Sequence, residues 1–306
     1  MDRNKQKLSG VFAPVVTPFV GDVPDLDGLA YNLAQLRKTN LKGFFALGSN
    51  GEYKSLTDEE QLLVLEVFAQ EKGNKVVMVG AGCESTKETI DKSHTVAQMG
   101  FDYVSVLTPH YFAKQMDHAA LIRYYERIAE AVSVPVLLYN APQFAGGVQI
   151  PAKTVVELSK HPNIAGIKDS SAAGPARFIA EVDPEADFSV LAGSINFFYS
   201  SLHIGAVGGV ISLANVLPEA CADLYESFIQ GQYEEARDLS AGLVRLNQAI
   251  SGTWGVAGVK AAMDLVGLRG GRPREPLMPV PEEAIAQIRQ ALVNEGFVVS
   301  EDVRGA

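Results

Sequence analysis

Eight short apolar runs, rich in β-branched residues, recur along this chain at roughly 25–30-residue intervals, with helix-like segments in the gaps. The runs are 11–19, 43–49, 75–82, 103–109, 135–140, 164–170, 188–194 and 207–214. Their near-continuous apolar content predicts strands covered on both faces, the condition of a parallel sheet with helices packed outside it. In one gap Thr57 precedes Asp58, Glu59 and Glu60, acidic groups where a helix dipole favours them, and Leu62, Leu63, Leu65 and Val67 predict an apolar face. Segments 85–99 and 118–132 read the same way, with Gly100 as the C-terminal stop of the former. Eight such units predict the α/β class and a closed (β/α)8 TIM barrel. An open doubly wound sheet ordinarily places a glycine-rich phosphate turn after its first strand, where this chain has Thr17-Pro18-Phe19.

About 90 residues follow the eighth run, more than one closing helix needs. Helical periodicity at 217–230, 233–250, 255–267 and 281–293, interrupted by GLRGGRPREPLMPVP, predicts a C-terminal helical extension. The expected organisation is a catalytic barrel over 1–230 and an extension over 231–306 that packs on it as part of the same domain. The arginines in the interrupting loop, Arg269 to Arg274, are expected to be solvated or at a subunit contact, and Trp254 to pack within the extension.

A formal net charge of −10 and a pI near 5.1 argue against a nucleic-acid backbone or an anionic membrane surface as partner. Residues 1–10 lack the apolar core of a secretory signal, and no uninterrupted apolar run approaches the roughly 18 residues of a membrane span. Cys83 and Cys221 stand in no metal or redox spacing and read as reduced packing residues of a cytoplasmic enzyme. Histidines 94, 110, 118, 161 and 203 form no HxH or HxxxH pair, so neither a metal nor a cofactor is expected.

In a barrel of this kind the C-terminal ends of the strands converge on one pocket. Those ends supply Thr17, Ser49-Asn50-Gly51-Glu52, Thr108-Pro109-His110-Tyr111, Tyr139-Asn140, Lys168, Gly193-Ser194 and Ile211. Lys168 interrupts the apolar run Ile164-Ala165-Gly166-Ile167. A lone strand lysine is ordinarily a surface residue. Turned into a barrel it is costly as a cation, so desolvation lowers its pKa and frees an amine that condenses with ketones to a Schiff base. The iminium then accepts electrons from a neighbouring carbon–carbon bond. Tyr139, ending the preceding strand, could transfer the proton and Ser49 could relay it. Position alone leaves Tyr139 equally readable as a core tyrosine. The Ser49–Glu52 stretch is equally readable as a plain turn or as a carboxylate-binding one.

Taken together, VFAPVVTPF, GSNGE, TPHY, YNAP, GIKDSS, LAGS and GAVGGVISLAN resemble the dihydrodipicolinate synthase/N-acetylneuraminate lyase family of class I pyruvate aldolases over nearly the whole chain. The resemblance implies Lys168 as Schiff-base residue, Tyr139 as proton-transfer phenol, and Ser49 and Asn50 as ligands of the pyruvate carboxylate. Gly193 and Ile211 would border the substrate. It implies that Tyr111 reaches into a neighbouring subunit's site, so that a tight dimer is the minimal unit and a homo-oligomer, a dimer of dimers, the expected assembly. Phe144 stands where synthases of lysine biosynthesis carry a carboxylate-binding arginine, and a phenyl ring cannot form that bidentate pair. Asp58, Glu84 and His110 occupy effector-pocket positions of regulated synthases and differ from them, so no lysine inhibition is expected. AGCEST, HPNIAGIKDSS and GAVGGVISLANVLPE are more similar to 4-hydroxy-2-oxoglutarate aldolase, with Ser170 a further substrate contact. The expected reaction joins or separates a 2-oxo acid such as pyruvate and an aldehyde. The synthase activity, a keto sugar acid lyase and a non-catalytic small-acid-binding barrel are the alternatives.

Overall fold

A computed structural model describes residues 3–299. Residues 1–2, and 300–306 at the end of the expected extension, lie outside the described residues. The eight expected strands form at Gly10–Pro14 (β1), Gly43–Ala46 (β2), Val76–Gly80 (β3), Tyr103–Leu107 (β4), Val136–Asn140 (β5), Ile164–Asp169 (β6), Ser189–Ala192 (β7) and Gly208–Val210 (β8). They follow one another in sequence order around a closed barrel. Helices alternate with the strands and continue beyond the last, so the fold is a (β/α)8 barrel with a C-terminal helical extension.

Two compact units build the chain, one of residues up to Gly10 with Val76–Val210, the other of Val11–Lys75 with Ile211 onward. In the first, α1 (Arg3–Leu8) precedes β3, and β3–β8 enclose α4 (Thr86–Gln98), α5 (His118–Ala131), α6 (Ala152–Leu158), α7 (Ala176–Glu181) and α8 (Ile195–Ile204) in chain order. Every residue of β4, β5 and β6 is buried, as strands covered on both faces must be. Parallel register sets Leu107 opposite Tyr139, Tyr139 opposite Lys168, and Lys168 opposite Leu191. The C-terminal stop of α4 is as expected, with Gly100 at φ 75° directly after Met99.

The second unit contains β1 and β2, paired from Phe12 opposite Gly43, with α2 (Leu26–Leu36), α3 (Asp58–Glu71), α9 (Pro218–Ile229), α10 (Tyr233–Asn247), α11 (Thr253–Leu265) and α12 (Glu282–Asn294). The run 11–19 is shorter as a strand than its apolar content suggested. Pro14 and Pro18 cannot donate to a ladder, and Phe19–Val20 instead pairs antiparallel with Val23–Pro24 in a small hairpin. The face of α3 also differs from expectation: Val64, Leu65 and Phe68 are buried, whereas Leu62 and Leu63 are exposed. Its start is as read, with a complete capping box between Thr57 and Glu60. Between α10 and α11 the chain does not break but widens into a π-helical turn at Gln248–Gly252, and the kink falls at Gly255, φ 56°. Trp254 is half-buried there.

Cys83 and Cys221 are buried, and burial pushes the Cys221 thiol far above its ordinary range, as suits an inert packing residue. Among the described residues no helix is long and apolar enough to cross a membrane.

Candidate active site

Residues paired across neighbouring parallel strands share a face, so Leu107, Tyr139, Lys168 and Leu191 form one row across β4–β7. Lys168 is only 5% exposed, and its Nζ lies 4.3 Å from the centre of the Tyr139 ring, itself buried. Desolvation pulls the Lys168 pKa below the ordinary lysine value, partly opposed by the charge of Tyr139 and a hydrogen bond to it. The lysine is therefore no surface residue. Its environment makes the neutral amine easier to reach than on a solvated lysine, with a phenol alongside to donate or accept a proton.

One residue further on, the next row holds Asn140 opposite Asp169. Asp169 is fully buried and accepts hydrogen bonds from Asn140 Nδ2 (2.7 Å), Ser171 N (3.1 Å) and Ser171 Oγ (3.1 Å), with the Arg177 guanidinium at 3.6 Å. Asn140 Oδ1 in turn accepts from Ile150 N at 2.9 Å. The network fastens the ends of β5 and β6 together, and so sets the spacing of Tyr139 from Lys168. Sequence reasoning gave Asp169 no role and missed Arg177. A usable signal was present, a polar residue directly after each of two adjacent site residues.

Ser170 and Gly193 also meet, the Ser170 hydroxyl donating to the Gly193 carbonyl at 3.5 Å. Glycine is required at 193: a Cβ there would stand 2.0 Å from Ser170 Oγ and 2.6 Å from the Asp169 carbonyl oxygen. Gln143 Nε2 donates to the Ser170 carbonyl at 2.9 Å. Its neighbour Phe144, in a 3₁₀ turn at Pro142–Phe144, is 54% exposed.

Tyr111 stands apart from this group. It is 79% exposed and packs edge-on against Phe112, ring centres 5.0 Å apart. Its backbone is latched by Glu84, whose carboxylate accepts from the amides of His110 and Tyr111, both at 2.9 Å, and meets His110 Nδ1 at 3.0 Å.

Ser49, Asn50 and Ile211 belong to the other unit, where Ser49 and Asn50 lie in the turn after β2. Thr17 Oγ1 donates to the Gly51 carbonyl at 2.8 Å. The Asn50 side-chain nitrogen is buried without a hydrogen-bond partner among the described residues, a donor with capacity for an anion. Ile211 is fully buried, and its amide donates to the Phe12 carbonyl at 2.9 Å.

The expectation of a solvated arginine loop is corrected at one position. Arg269 and Arg272 are exposed, but the Arg274 side chain is only 10% exposed, paired with Glu60 at 2.6 Å and stacked over Phe19 at 4.7 Å. A charge pattern read along the chain does not show a carboxylate arriving from another element.

Known proteins similar to this chain are readily found. The family model described as "Dihydrodipicolinate synthetase family" matches residues 7–295. A 4-hydroxy-tetrahydrodipicolinate synthase of Methanospirillum hungatei is 33% identical over 93% of this chain and 98% of its own. A probable mitochondrial 4-hydroxy-2-oxoglutarate aldolase of Emericella nidulans is 32% identical over 94% and 95%. Among solved structures, a prophage protein of E. coli K12 belonging to the dihydrodipicolinic acid synthase family, in complex with pyruvate, superposes with a TM-score of 0.87 at 29% identity over 94% of this chain and 98% of that one. With the match running over nearly the whole chain and the buried lysine in place, this protein belongs to the dihydrodipicolinate synthetase family and is a carbon–carbon lyase.

Proposed function

We propose that this enzyme cleaves, or in reverse builds, a 4-hydroxy-2-oxo acid through a Schiff base between Lys168 and a pyruvate-type 2-oxo acid. The observation that carries this reading is the buried Lys168 amine beside the Tyr139 ring. The amine adds to the C2 carbonyl and water leaves, giving a protonated imine. The C3–C4 bond then breaks, its electrons passing into the iminium as an enamine, while the 4-hydroxyl proton passes to Tyr139, with Ser49 as relay. An aldehyde departs, the enamine is reprotonated at C3, and hydrolysis returns the 2-oxo acid and the free amine. Ser49 and Asn50 hold the substrate carboxylate, a role that suits the unpartnered Asn50 amide. Gly193 and Ile211 border the substrate, and Ser170 contacts its distal part. Phe144 forms the apolar side of the entrance.

The names of several relatives favour the synthase of lysine biosynthesis as a second reading. Against it, Phe144 stands where that activity calls for a guanidinium, and Arg177 is engaged by Asp169, Ser171 and the Gly174 carbonyl. A keto sugar acid lyase differs only in the aldehyde released. In the assembly we infer, a dimer of dimers in the cytoplasm, Tyr111 completes a neighbouring subunit's site, and its exposure leaves it free to do so. No lysine inhibition is expected.

Borohydride reduction with pyruvate tests the chemistry. The wild type should gain a covalent adduct that maps to Lys168, and Lys168→Ala should gain none. Tyr139→Phe should lower kcat by about 10²–10⁴-fold. An unmodified wild-type protein would refute the Schiff base. Pyruvate release from a panel of 4-hydroxy-2-oxo acids and keto sugar acids, beside consumption of aspartate semialdehyde, separates the substrate readings, and any turnover excludes a non-catalytic receptor.

A further inference from the structure

The chain buries a second lysine that the chemistry above leaves unused. Lys260, on α11, is fully buried, its Nζ 2.5 Å from Glu52 Oε1. It donates to the Arg272 carbonyl at 3.0 Å and sits 4.5 Å above the Phe19 ring. Glu52 is itself 5% exposed, and its other oxygen accepts from the Arg274 amide at 2.9 Å. Gly270 admits the loop to this position, since a Cβ there would lie 1.9 Å from the Lys260 carbonyl oxygen.

Glu52 directly follows Ser49-Asn50-Gly51, the turn that carries the two assigned carboxylate ligands. The turn is bracketed by left-handed backbone at two residues that are not glycine, Leu47 at φ 51° and Glu52 at φ 50°. Such conformations cost free energy and persist only where the surroundings over-determine them. Here the surroundings can be named. The Thr17 hydroxyl holds Gly51 from β1, and Lys260 and Arg274 hold both oxygens of Glu52 from the C-terminal extension. Arg274 also pairs with Glu60, the partner of Thr57 in the capping box of α3. A buried ion pair adds little net stability over a packed apolar pair, so geometry is the more natural product of this one.

We propose that the Glu52–Lys260 pair is a positioning device for substrate binding: it locks the Ser49–Gly51 turn in the form that presents the Ser49 hydroxyl and Asn50 amide to the 2-oxo acid carboxylate. Neither residue touches the substrate. The inference rests on the Schiff-base reading and extends it by assigning the C-terminal extension a part in substrate affinity.

The test compares wild type with Glu52→Gln and with Glu52→Gln/Lys260→Met, in which no buried charge is left unpaired. Borohydride trapping is titrated with pyruvate and with hydroxyacetone, a ketone without the carboxylate. Wild-type trapping by pyruvate checks the Schiff-base reading by itself, so its failure is recognised before any variant is compared. The half-saturating pyruvate concentration should rise about 10–100-fold in both variants, the scale of a misplaced binding group. Trapping at saturating pyruvate, and the hydroxyacetone titration, should match wild type. A pyruvate half-saturation within twofold of wild type in the folded double variant overturns the proposal. So does a parallel loss with both ketones, which marks a general structural role. A double variant that no longer folds also counts against it, because the pair would then serve the fold itself.

Discussion

At Lys168 the same desolvation that suits the amine to catalysis also burdens the fold. The unfolded chain keeps that proton up to the ordinary value near 10.5, whereas burial lowers the folded pKa. Between the two values the unfolded state binds more protons, so the stability linked to this residue rises with pH across that window. Two outcomes follow from the one shift. Adduct formation at fixed, subsaturating pyruvate should climb with pH and level off below the ordinary lysine range. Lys168→Met should melt at a higher temperature than wild type near neutral pH, and the gap should narrow as pH rises toward that of free lysine. A pH-independent gap would mean that side-chain packing and not charge burial sets it. The sequence shows the lysine and the tyrosine on adjacent strands, but not that they stand in register with the amine over the ring.

The strand ends of the first unit act as one assembly. Asp169 fastens β5 to β6 through Asn140, and Gly193 lets the end of β7 approach the end of β6 with its amide donating to the Asp169 carbonyl at 2.8 Å. Gly193→Ala forces a Cβ into Ser170 and the Asp169 backbone, so we expect a loss of about 1–3 kcal/mol, read by urea-induced unfolding, together with weaker pyruvate trapping. Helix starts were legible because their signals are local: the Thr57–Glu60 box closes within one turn. The apolar face of α3 was not. Leu62 and Leu63 match Val64 and Leu65 in hydrophobicity, and only the neighbour that covers a face decides which of them are buried.

For the molecule as a whole, the extension contributes charge at depth. Lys260→Met alone would leave Glu52 as an uncompensated buried carboxylate, and we expect it to destabilise the protein by about 3–5 kcal/mol. Glu52→Gln/Lys260→Met should recover most of that loss, since it removes both charges. Urea melts of the single and double variants measure both, and a double variant no more stable than Lys260→Met would show that the unpaired carboxylate is not what destabilises the single variant.

The sequence by itself determined the eight strands, their order and the helices between them, because periodicity and caps are set by residues a few positions apart. It also placed Lys168 and Tyr139 at the ends of neighbouring strands, since each strand's end is marked locally. Only the tertiary structure decided that Arg274 pairs with Glu60, that Asp169 gathers Asn140 and Arg177, and that Lys260 meets Glu52. Arg274 and Glu52 are 222 residues apart, and a charge becomes a partner only when folding brings its opposite within reach and excludes the water that would otherwise solvate both.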